Sequence, residues 1–70
     1  MTIIESDISA VVWKVLVRVG DTVEAGDPVV VLESMKMEIP VESEEPGTVT
    51  VVHVSEGEVV DEGASLVTLG

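Results

Sequence analysis

Seventy residues make one small domain, residues 1–70, and the absence of cysteine removes disulfides as a substitute for a large core. Fourteen acids stand against Lys14, Arg18 and Lys36, leaving a formal net charge of −11; such a surface repels phosphate backbones and anionic lipid heads, so neither nucleic acid nor membrane is an expected partner. No run has the length of a membrane span, MTIIESDISA lacks the basic start of a signal peptide, and the expected setting is the cytoplasm.

Seventeen residues are valine, Trp13 is the one aromatic, and apolar positions nowhere recur at helical spacing over a helix length. Valine is stiff at χ1 and suits a pleated surface, so the fold is expected to be all-β. In chain order, strands are predicted near 2–6, 11–19, 28–34, 37–42, 47–54 and 65–69, with short extended pieces near 22–24 and 59–61. Eight short strands separated by turns predict a small sandwich or flattened barrel. From Val11 to Val19 the face pattern is ambiguous. Val11, Trp13, Val15 and Val17 alternate, yet Val12 and Leu16 are also apolar. A bulge, or a strand covered on both faces, reconciles this, and the direction of Trp13 stays open.

The chain resembles itself at an offset of 37. AVVWKVLVRVGDTVEAGDPVVVL, residues 10–32, aligns with GTVTVVHVSEGEVVDEGASLVTL, residues 47–69. Val12 matches Val49, Val15 matches Val52, Val17 matches Val54, and the Gly20–Asp21 turn matches Gly57–Glu58. Two quasi-equivalent β units that close one core together are expected, because neither could bury an apolar face alone.

Between the halves lies a hairpin, residues 33–38. With Met35 and Lys36 as its two-residue turn, Ser34 faces Met37, Glu33 faces Glu38, Leu32 faces Ile39, Val31 faces Pro40 and Val30 faces Val41. Val30, Leu32, Ile39 and Val41 then share one face, while Glu33, Glu38 and Pro40 share the other, as a half-buried hairpin requires. The tip breaks local rules. Tight hairpin turns favour Asn-Gly or Asp-Gly, and two carboxylates directly opposite each other destabilise by roughly a few tenths of a kcal/mol. A functional site is one explanation of such a conflict. On the residues alone, an ordinary exposed lysine, with Met35 or Met37 folded back onto the core, explains it equally well.

ESMKME at the junction of two Val-rich half-repeats resembles the biotinyl domain of the biotin/lipoyl attachment family, over essentially the whole chain. The resemblance implies a flattened barrel of two four-stranded antiparallel sheets with quasi-two-fold symmetry. It implies that Lys36 is the residue to which biotin is covalently attached, that Met35 and Met37 are read by biotin protein ligase, and that Glu33 is the family's usual upstream Glu. Glu33 and Glu38 are both candidates for docking the ligase or orienting the lysine, beside the plain alternative that they are merely solvated. A biotin carboxylase would load a carboxyl group onto the cofactor and a carboxyltransferase would pass it to an acyl-CoA or to pyruvate. The expected protein is thus a non-catalytic carrier, monomeric in isolation. Ser34 stands where the family commonly has Ala, Ala10 where it commonly has Gly, and Gly20 to Val29 runs through without the extra thumb loop of some members.

The nearest rival is a lipoyl carrier, with lipoate on Lys36, serving a 2-oxo acid dehydrogenase or glycine cleavage system. Met on both sides of the lysine favours biotin. A rival of another class is an unmodified interaction module, which has no use for the Met-Lys-Met tip. His53 is the one histidine and there is no cysteine, so neither a zinc site nor a catalytic centre is expected.

Overall fold

Every residue from Met1 to Gly70 is described in a computed structural model of the chain. Eight strands and no helix follow in order: β1 (Thr2–Glu5), β2 (Ala10–Val15), β3 (Thr22–Val23), β4 (Pro28–Ser34), β5 (Met37–Glu42), β6 (Gly47–Val52), β7 (Val59–Val60) and β8 (Ser65–Leu69). They form two four-stranded antiparallel sheets, in the orders β1-β8-β6-β3 and β5-β4-β2-β7. Each sheet takes two strands from each half of the chain. The halves therefore interleave, which is why neither can close a core by itself.

The repeat reaches into the hydrogen-bond pattern. Val12 N–H donates to Glu58 O and Val49 N–H to Asp21 O; Leu16 N–H donates to Val29 O and His53 N–H to Leu66 O. Gly26 and Gly63, at φ of 92° and 87°, donate their N–H groups to Ser43 O and Ser6 O. An L side chain is strained at that φ, so glycine is the natural occupant. Ser6 and Ser43, both buried, hydrogen-bond through their hydroxyls to Ile8 O and Glu45 O. Glu5-Ser6 and Glu42-Ser43 thus extend the repeat beyond the predicted 10–32 and 47–69.

Fourteen residues form the core, and all but Ile4 and Ala10 fall into symmetry-related pairs: Val12 with Val49, Val17 with Val54, Val23 with Val60, Val29 with Leu66, Val30 with Val67, and Leu32 with Leu69. At roughly 1.5–3 kcal/mol for each large aliphatic side chain removed from water, these pairs are the main source of stability in a chain without disulfides.

A bulge resolves the ambiguous face pattern. Val12 pairs with Leu32 and Lys14 with Val31, so Trp13 is an extra residue in β2; at the symmetric place Val49 pairs with Leu69 and Val51 with Thr68, leaving Thr50 extra in β6. Before the bulge Ala10 and Val12 face the core, and after it Val15 and Val17 do. Trp13 and Lys14 both lie on the outer side, with the Lys14 Nζ 5.3 Å from the centre of the indole ring. Predicted strands 11–19 and 47–54 overshoot: the ladders end at Val15 and Val52. Val17 and Val54 continue the apolar pattern because they are buried, but they cover the core from outside the ladder.

Candidate functional site

Strands β4 and β5 meet in the register expected from the face pattern, from Ser34 opposite Met37 through to Val30 opposite Val41. Val30 and Leu32 are buried, Ile39 and Val41 half-buried, and Glu33, Glu38 and Pro40 exposed. A two-residue turn makes Ser34 and Met37 a hydrogen-bonded pair, so by alternation Val31 and Pro40 are a non-hydrogen-bonded one. Pro40 therefore lacks an N–H that the ladder does not use, on an edge strand where proline is tolerated. The same alternation places Glu33 and Glu38 at the closer, non-hydrogen-bonded spacing.

Met35 and Lys36 have φ of 54° and 65°, the only non-glycine residues with positive φ in the chain. Two consecutive left-handed residues make a type I′ turn, whose twist matches that of the strands it joins. For residues other than Gly, Asn or Asp this conformation costs about 1–2 kcal/mol each. Met35 is 91% and Met37 62% exposed, so neither methionine folds back onto the core. Lys36 is exposed between them. The hairpin thus holds an amine, two flexible apolar side chains and two carboxylates at a rigid protruding point.

Of the two lysines, only Lys36 occupies a turn; Lys14 lies in the bulged strand against Trp13. His53 lies on the outer side of the other sheet, and its Nε2 is 2.7 Å from the Thr68 hydroxyl. Every residue singled out at the tip from sequence (Glu33, Met35, Lys36, Met37 and Glu38) is gathered within this one hairpin.

The sequence profile of the family described as biotin-requiring enzyme matches residues 2–69. The chain belongs to that family. As a biotinyl attachment domain it is 49% identical over 57 residues to the biotin/lipoyl attachment protein of Bacillus subtilis, a match covering 81% of this chain and 78% of that one. It is 47% identical over 58 residues to the biotin carboxyl carrier protein of Streptococcus mutans, covering 83% of this chain and 45% of the relative. The urea carboxylase of Kluyveromyces lactis contains a region that superposes with a TM-score of 0.92 at 32% identity, covering 99% of this chain but 6% of that one. The chain thus spans less than half of the streptococcal carrier and a small part of the carboxylase. Biotin is the cofactor of this family, held covalently. An exposed amine on a strained, rigid turn, clear of the core and of the other lysine, fits its attachment.

Proposed function

We propose that Lys36 accepts biotin and that the domain is the carboxyl carrier of a biotin-dependent carboxylase. The supporting observation is the positive φ held by both Met35 and Lys36. The turn keeps residues that are conformationally unfavourable there, so what they present outweighs local stability.

Lys36 would hold biotin through an amide between its Nζ and the carboxyl carbon of the cofactor. The ammonium would give up two protons as that bond forms, and biotin protein ligase would drive the condensation by splitting ATP into pyrophosphate and AMP, the AMP leaving with the displaced carboxyl oxygen. Once bound, the cofactor supplies the carbon dioxide-carrying chemistry; the protein supplies position. Antiparallel pairing from Ser34–Met37 downwards holds the tip, and the lysine stem adds reach. A tethered group visits a biotin carboxylase and then a carboxyltransferase at high effective concentration. The final acceptor is chosen by the carboxyltransferase. The domain contributes no catalytic residue, and its charge of −11 opposes self-association.

The biotinylated domain, incubated with a biotin carboxylase, MgATP and isotopically labelled bicarbonate and then gel-filtered in the cold, is expected to carry label that is absent from Lys36→Arg treated in parallel. Fully biotinylated domain that never takes up label would overturn the carrier reading.

A further inference from the structure

Pseudo-symmetry gives the molecule an internal control, because each outward position on one sheet has a counterpart 37 residues away on the other. Beside the exposed apolar Ile3 and Val51, five polar residues face outward on the sheet that lacks the hairpin tip: Thr22, Thr48, Thr50, Thr68 and His53. Their counterparts on the Lys36 sheet are Val59, Val11, Trp13, Val31 and Leu16. At all five the polar residue is replaced by an apolar one. The exchange runs the other way at Lys14, whose counterpart is Val51.

The fold does not require this asymmetry. Val and Thr are both β-branched and both suit a strand, so threonine serves at these backbone positions, as it does on the other sheet. The apolar residues are also accessible: Val59 is 71%, Leu16 46%, Trp13 43% and Val11 40% exposed. Cα pairing runs Glu38–Glu33–Val11–Val59 straight across the sheet, one row below the Ser34–Met37 pair that closes the turn. The apolar face is therefore continuous with the tip.

Resting on the assignment of Lys36 as the acceptor, we infer that this outer face, centred on Val11, Trp13 and Val59, is the surface on which the enzyme that acylates Lys36 docks. Bond formation at Nζ brings the enzyme within a four-carbon stem of the backbone, so it must lie against the hairpin and the adjoining row. An enzyme acting at the far end of the finished arm need not touch the sheet. Glu33 and Glu38 border the apolar centre, which fits a partner with an apolar patch rimmed by basic side chains. A second copy of the chain, also at −11, is disfavoured by like charge.

The test borrows the replacements from the other sheet. Val11→Thr/Val59→Thr and, separately, Trp13→Thr are compared with Thr22→Val/Thr48→Val in biotinylation by purified biotin protein ligase, ATP and biotin, with circular dichroism confirming the fold. The first two are expected to raise the KM for the domain by about tenfold, with kcat changed little; the third should behave as wild type. Unchanged KM in the folded Val11/Val59 and Trp13 variants, or an equal loss in the Thr22/Thr48 control, overturns the docking face. A wild-type domain that takes no biotin overturns instead the assignment of Lys36, so the two failures are distinguishable.

Discussion

Met35 and Lys36 sit at φ of 54° and 65°, where side chains beyond Gly, Asn and Asp are strained. Met35 is 91% exposed and returns little packing energy for that strain. Met35→Gly is therefore expected to stabilise the domain by about 1 kcal/mol, read as a higher urea midpoint at unchanged m-value. A lower midpoint would mean that the methionine contributes packing its exposure does not reveal. At this scale the hairpin was legible from sequence because a one-residue slip would have put Val30, Leu32, Ile39 and Val41 on the solvent side. Trp13 was not legible. A bulge is a backbone feature, and a run in which Val11, Val12 and Trp13 are all apolar does not show where the extra residue sits. The counterpart run signals its direction, since Thr48 and Thr50 mark outward positions, but Val51, outward as well after the bulge, hides where the extra residue sits.

At the scale of elements, the strands differ in how well they are held. β4 and β2 are central in one sheet, β8 and β6 in the other, while β3 and β7 are two-residue edges. Val29, Val30, Leu32, Leu66 and Val67 are almost wholly buried. Hydrogen exchange is expected to be slowest at the paired amides of β4 and β8 and fastest in β3 and β7, with the two halves exchanging in parallel. Faster exchange throughout β4 than in β7 would contradict a core built on the symmetric pairs. All eight strands were visible from β-branched residues and turn signals, because strand length and turn chemistry are local. Which strands become neighbours is not local. The interleaving of the halves follows from closing one core between two repeats, and the ladder ends at Val15 and Val52 follow from bulges that redirect the chain.

For the whole molecule, two properties of the fold support the carrier role. A core shared across the repeat makes a chain of 70 residues rigid enough to hold a strained turn without disulfides. Departure from symmetry then sets one turn apart from the duplicated scaffold. The symmetry mate of the β4–β5 hairpin is the pairing of β1 with β8, where Thr2 lies opposite Leu69 at the chain ends, so only one of the two equivalent places has a turn. On the proposed assignment of Lys36, the chemistry is confined to that turn and the scaffold is duplicated around it. The attachment claim is tested most directly by intact mass, with peptide mapping, after incubation with biotin protein ligase, ATP and biotin, run beside Lys36→Arg. The prediction is one biotinyl group per chain, mapped to Lys36 and missing from the variant although Lys14 remains. Biotin retained by Lys36→Arg, or a wild-type chain that takes up lipoate with its own ligase and no biotin, would contradict it.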